Sequence, residues 1–159
     1  MSAMERVKAV RLRIPEEIAN LKFKNEKYMC DDDLAEYLDR PEFNELVDWK
    51  KAGKFMHNYG ADLFRDENGK WQSKDEDYID IILDSKWDTS DEEYTKARFL
   101  TENELNKYIP KFKDFFEQVK LPCPEISKDT LRVVEYNYYN GSDAPCCFDI
   151  TIDQFYQEV

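Results

Sequence analysis

Leu131-Arg132-Val133-Val134-Glu135-Tyr136-Asn137-Tyr138-Tyr139 is the stretch whose reading decides the fold. β-Branched and aromatic residues dominate it, and such residues suit a pleated, half-buried strand. Alternation places Arg132, Val134, Tyr136 and Tyr138 on one face. Asn140-Gly141 follows, a strong hairpin signal. Cys146, Phe148, Ile150 and Ile152 then alternate with Cys147, Asp149, Thr151 and Asp153 as a returning strand. Asp153 is placed to cap a last helical turn running to Val159.

Working outward, the other strand signal lies at the opposite end of the chain. Val10, Leu12 and Ile14 alternate with Arg11 and Arg13, which predicts a half-buried strand that pairs beside the C-terminal hairpin. Between the two ends the spacing is mostly helical. Pro15 opens a short helix with Ile18 and Leu21 on the same face as Ile14. Asp31, Asp32 and Asp33 supply N-cap and first-turn charge to a helix with Leu34, Tyr37 and Leu38 inside. Pro41 restarts it, with Phe43, Leu46, Val47 and Lys50 at helical spacing and Gly53 at the C′ position. Phe55, Met56 and Tyr59 read as a further helical turn. Leu63-Phe64-Arg65 and Lys70-Trp71 flank Asp66-Glu67-Asn68-Gly69 as a hairpin.

Ser73 and Glu76 have the spacing of a capping box, which tips Tyr78 to Leu83 toward helix although Ile79, Ile81 and Leu83 alternate like a strand. Ser90 with Glu93 and Thr101 with Glu104 are two further boxes. They open helices carrying Tyr94 and Ala97, then Leu105, Tyr108 and Ile109. Pro110 is expected to break or kink the second. Phe112, Phe115, Phe116 and Val119 form an aromatic amphipathic face, which Leu121-Pro122-Cys123-Pro124 ends. Strand, helices, then hairpin is the order of an α+β fold: a single compact domain over residues 1–159, with helices packed on a small antiparallel sheet that includes the C-terminal β-hairpin.

Charge narrows the function. The chain has 35 acidic and 23 basic residues in 159, a net charge of −12. The first 27 residues hold seven Lys/Arg (Arg6, Lys8, Arg11, Arg13, Lys22, Lys24, Lys27) against four Glu, so the negative excess lies beyond them. The basic patch is expected to pair with the acidic body. Such a field disfavours direct binding to nucleic acid. No run of about 18 apolar residues is present to cross a membrane. The first 14 residues lack the apolar core of a signal peptide, and Cys30, Cys123, Cys146 and Cys147 read as reduced thiols, so a cytoplasmic protein is expected.

Catalytic signatures are absent. His57 is the single histidine, which excludes chemistry needing two from one chain, and it reads as structural or surface. The adjacent Cys146 and Cys147 lack zinc-ligand spacing. Asp66-Glu67-Asn68-Gly69 falls short of a calcium loop, since Phe64 occupies the first ligand position. Four glycines, at 53, 60, 69 and 141, build no phosphate cradle. The carboxylate runs Asp31 to Asp33, Asp75 to Asp80 and Asp91 to Glu93 serve as caps and solvated faces sooner than as a Mg²⁺ site. No catalytic residue, metal or cofactor is expected.

What remains is an acidic interaction protein that binds and inhibits a basic, nucleic-acid-handling protein, its carboxylates standing where phosphates would. In size and charge the chain is similar to small acidic proteins of phages and mobile elements, anti-CRISPR inhibitors and other nucleic-acid mimics among them; the likeness is of composition and covers no motif. An immunity protein that neutralises a basic toxin uses the same surface logic, and a carboxylate-based metal enzyme is the catalytic alternative. The densest acidic segment gives the expected contact ridge: Asp75, Glu76, Asp77, Asp80, Asp91, Glu92 and Glu93, with Tyr78, Trp87 and Tyr94 as aromatic anchors.

Overall fold

β1, Met4–Arg13, is the middle strand of a five-stranded antiparallel sheet. The computed structural model describes residues 4–19, 33–48, 51–65, 71–88 and 95–139. Along the chain β1 is followed by α1 (Glu16–Ala19), α2 (Asp33–Leu38), a 3₁₀ turn (Pro41–Phe43), β2 (Phe55–Arg65), β3 (Trp71–Asp88), β4 (Thr95–Phe99), α3 (Glu102–Val119) and β5 (Leu131–Tyr139). The spatial order is β2-β3-β1-β5-β4. β1 therefore pairs with β5 on one side, as the two terminal patterns imply, and with β3 on the other. The returning strand expected over Cys146 to Asp153 and the cap at Asp153 lie outside the described residues, as do Asp66-Glu67-Asn68-Gly69 and Asp31 and Asp32.

Alternation gives the sheet two unlike faces. Val10, Leu12, Ile79, Ile81, Leu131 and Val133 point to α3 and form the main core with Phe112, Phe115, Phe116 and Val119. Phe55 stacks on Phe115 at 4.2 Å between ring centroids and meets Phe112 edge-on at 5.7 Å. The helix opens on the capping box read from sequence: Thr101 Oγ1 accepts from the Glu104 N–H, and Glu104 Oε1 accepts from the Thr101 N–H. It ends at Lys120, in the left-handed region at φ 59°. Pro110 does not break it. Pro110 and Asn106 are both exposed, so the carbonyl that the missing proline N–H leaves without a helical donor is on the solvent side of the helix.

The opposite face carries a smaller apolar cluster, Val7, Ala9, Met56, Ile82, Ala97, Val134 and Tyr136. Beside it sits a buried ion pair. Arg11 on β1 lies directly across from Asp80 on β3, and its Nε and Nη2 donate to the two carboxylate oxygens at 2.8 and 2.9 Å. The guanidinium lies 3.6 Å over the Tyr78 ring and 5.3 Å from that of Tyr136. Burial raises the Tyr136 hydroxyl well above its ordinary pKa, with Asp80 adding to the effect, so that ring stays neutral. Arg13 reaches Glu76 at 3.5 Å. Two of the three arginines of the N-terminal patch, Arg11 and Arg13, thus pair with the acidic body, as expected.

Four helical expectations are corrected. Tyr78 to Leu83 is strand, because alternation there satisfies both faces of the sheet and outweighs the Ser73/Glu76 spacing; Glu76 pairs with Arg13 instead of capping a helix. Phe55, Met56 and Tyr59 belong to β2, whose pairing with β3 from Phe55↔Ile81 to Arg65↔Trp71 completes the hairpin expected around 66–69. Ala97 lies in β4, paired with Val134; Ser90 to Tyr94 lie outside the described residues. Of the helix expected from Pro41 to Lys50, the described residues 41–48 hold one 3₁₀ turn, after which Val47 bridges to Phe55; Lys50 lies outside the described residues. Gly53, at φ 81°, is accordingly in a turn and not at a helix end. Its N–H donates to the Ile82 carbonyl at 2.6 Å, tying the turn to β3.

Two stability measurements follow. Asp80→Ala strands a buried guanidinium and is expected to cost about 3–5 kcal/mol by urea denaturation, whereas Arg11→Met with Asp80→Leu should recover most of that loss. At the helix start, the hydrogen-bonded Arg98 guanidinium, 2.6 and 2.9 Å away, holds the Glu104 carboxyl down at about 2 against an ordinary 4.5. A depressed pKa stabilises above the unfolded value and is lost as pH falls through the folded one. Glu104→Gln should therefore cost about 0.5–1 kcal/mol at pH 7, the range of a solvent-screened pair, with the deficit closing between pH 4.5 and about 2.

Candidate functional site

The acidic segment of β3 does not form one exposed ridge. Successive side chains of a strand point to opposite faces. Glu76, Tyr78 and Asp80 go to the Arg11 face and are buried there, Asp80 completely. Asp77 goes to the other face. Asp75 and Trp87 lie toward the two ends of β3, and nothing is described of their side chains; Asp91, Glu92, Glu93 and Tyr94 lie outside the described residues. The segment's acidity serves the sheet's interior as much as its surface.

A different site is assembled around Asp77. Its Oδ1 is 2.8 Å from Nε2 of His57, on the neighbouring strand β2. The His57 side chain is 7% exposed and that of Asp77 20%. An ionised carboxylate only accepts, so the proton in this bond belongs to Nε2, and in the neutral ring Nδ1 is left as an acceptor. Among the described residues Nδ1 has no hydrogen-bond partner.

His57 lines a cleft of about 650 Å³ between α2, the segment after the 3₁₀ turn, and β2. Ala35, Leu38 and Val47 supply its apolar surface, and Glu36, Asp39, Asn44 and Asp48 its polar lining; Met56 borders it from β2 with its side chain on the opposite face of the sheet. Local folding explains the placement. Leu34 and Leu38 bury the inner side of α2, turning Glu36 and Asp39 outward. The Tyr37 hydroxyl donates to the Val119 carbonyl at 2.6 Å, tying α2 to the end of α3. Tyr37 also packs on Phe43 at 5.4 Å, while the Val47–Phe55 bridge sets the far wall.

Three carboxylates, Glu36, Asp39 and Asp48, stand around an apolar floor. The basic groups nearby are partly engaged: Lys51 pairs with Asp48 at 3.8 Å, Lys54 donates to the Glu45 carbonyl, and Arg40 lies 4.6 Å over Tyr37. Burial, helped by Glu42, raises the Tyr37 hydroxyl, which keeps it a donor to Val119. Among the described residues no three His, Cys, Asp or Glu side chains are grouped to hold a metal. The arrangement suits a cation with an aliphatic stem: apolar surface below, carboxylates at the mouth, one nitrogen acceptor in the wall.

No protein-family model, curated protein sequence or solved structure matches this chain. Among the described residues no helix is long and apolar enough to cross a membrane.

Sequence reasoning missed the cleft because its residues have no local signature. Glu36, Asp39 and Asp48 meet through the packing of α2 on β2. His57 meets Asp77 only if Phe55 to Tyr59 is a strand in register with β3. The available signal was the alternation of Ile79 and Ile81, which makes Tyr78 to Leu83 a strand and requires a partner for it.

The two acidic populations should respond differently to charge reversal. Asp80→Lys places two cations in the interior and is expected to abolish folding by circular dichroism. Asp39→Lys and Asp84→Lys, both on exposed positions, should each change stability by no more than about 0.5 kcal/mol.

Proposed function

We propose that this chain is a non-catalytic acidic binding protein that engages and inhibits a basic, nucleic-acid-handling protein. One observation carries the reading: three arginines are paired with carboxylates within the chain while another group of carboxylates is exposed. Arg11 pairs with Asp80, Arg13 with Glu76 and Arg98 with Glu104. By contrast Glu36, Asp39, Glu42 and Glu45 are all exposed, within ten positions, beside the cleft. A rigid display of carboxylates offers arginine and lysine the same kind of acceptor as a phosphate backbone, and the net charge of −12 steers a basic partner toward it. Tyr59 is half-exposed, two residues along β2 from His57 and on the same face, where an aromatic side chain can anchor an interface whose rim is charged. The contact surface proposed is therefore the α2 end of the sheet, in place of the β3 ridge.

The test is affinity capture with the full chain from nuclease-treated lysate, followed by mass spectrometry. A basic nucleic-acid-binding protein, retained at low salt and displaced by DNA or RNA, is the expected result. A basic toxin would transfer the reading to immunity, and no enrichment of any basic protein would overturn it. With the captured protein purified, Asp39→Lys with Glu42→Lys and Glu45→Lys should weaken binding at least ~10-fold, the equivalent of about 1.4 kcal/mol, with little change in Tm.

A further inference from the structure

We propose that the cleft between α2 and β2 is a receptor for one arginine side chain of the partner. This deepens the reading of the chain as an acidic binding protein and rests on it. Two independent observations converge. The first is shape and charge: a concavity of about 650 Å³ with apolar walls at Leu38 and Val47 and carboxylates at Asp39 and Asp48, the latter 3.8 Å from Lys51. Its size is that of small-molecule sites, so it admits a side chain with its flanking backbone. The second is the His57 ring. It is more than nine-tenths buried and fixed by Asp77 through Nε2, it belongs to a residue that lines the cleft, and no described residue occupies its Nδ1.

Together these features favour arginine over lysine. Guanidinium is planar and weakly hydrated, and it carries several N–H donors in a fixed fork. It can donate to Nδ1 in the ring plane and reach a carboxylate at the mouth with a second N–H of the same fork, while its methylene stem covers the apolar walls. An ammonium presents a compact charge that gives up its water less readily and has no planar fork to span two acceptors. The Asp77–His57 bond positions the ring: in the neutral imidazole it assigns the proton to Nε2 and leaves Nδ1 as the acceptor. His57 and Asp77 are therefore binding and positioning residues, and no bond-making step is assigned to them.

The test titrates the full chain with blocked arginine (N-acetyl-arginine amide), blocked lysine and blocked citrulline, observed by NMR at the Val47 methyls and the His57 ring. Saturable shifts at both are expected for arginine at millimolar concentration, weaker shifts for lysine, and none for citrulline, which lacks the charge at nearly the same shape. Asp39→Asn with Asp48→Asn should weaken the arginine response ~10-fold or more, as loss of two charge-assisted contacts implies. His57→Phe keeps a ring without Nδ1 and should erase the preference for arginine over lysine. No saturable shift, or equal shifts with citrulline, would overturn the proposal. If the captured partner still binds the Asp39→Asn/Asp48→Asn chain at wild-type strength, the arginine cleft falls while the acidic-binder reading stands; if no basic partner is captured yet arginine saturates the cleft, the reverse holds.

Discussion

The contact between Arg11 and Asp80 constrains everything around it. A guanidinium and a carboxylate removed from water gain little net stability as a pair, because desolvation cancels most of their attraction. Either one alone in that position is costly. The pair therefore acts on register. Sliding β3 by one residue against β1 would send Asp80 into the aromatic core under α3 and leave Arg11 buried without its carboxylate. The rings of Tyr78 and Tyr136 flank the guanidinium and narrow the choice further. Once β3 is fixed against β1, its other edge fixes β2, and Asp77 comes to lie beside His57 as a consequence.

Position of the cleft depends on a second, apolar constraint. Phe112, Phe115 and Phe116 hold α3 across the sheet, with Phe55 stacked between helix and β2. The end of α3 then accepts the Tyr37 hydroxyl at its last buried residue, so α2 hangs from the helix at one point and packs on β2 at another. Six residues of helix would not be stable in isolation. Its order comes from these contacts, and its acidic outer side is held rigid by them. A rigid display loses less entropy on binding than a mobile one, which is what the proposed contact surface would require.

How much of this was legible in the sequence depended on whether the deciding interactions were local. β1, β5 and α3 were readable because each carries its own period and, for α3, a true capping box at Thr101 and Glu104. The hairpin closing between Arg65 and Trp71 was readable from its turn residues. Ser73 and Glu76 have the same spacing as that true box but sit in a strand, and Glu76 answers to Arg13 across the sheet. Capping spacing states only that a helix start is possible, whereas alternation of Ile79 and Ile81 states where burial is gained, and burial is the larger energy. The displaced acidic ridge has the same origin. Charge density along the chain says nothing about which face each carboxylate meets, and in β3 the faces differ completely.

Seen this way, the chain's acidity has two distinct physical roles that composition alone merges. Asp80 and Glu76 are internal counter-ions whose arginines hold the sheet in register. Asp39, Glu42 and Glu45 are exposed on the segment around α2, and Asp48 beside them answers to Lys51 at 3.8 Å. The two roles are kept apart by the fold: Arg11 is held by Asp80 and Arg13 by Glu76 on the sheet face opposite α3, where the carboxylates of the α2 segment do not lie.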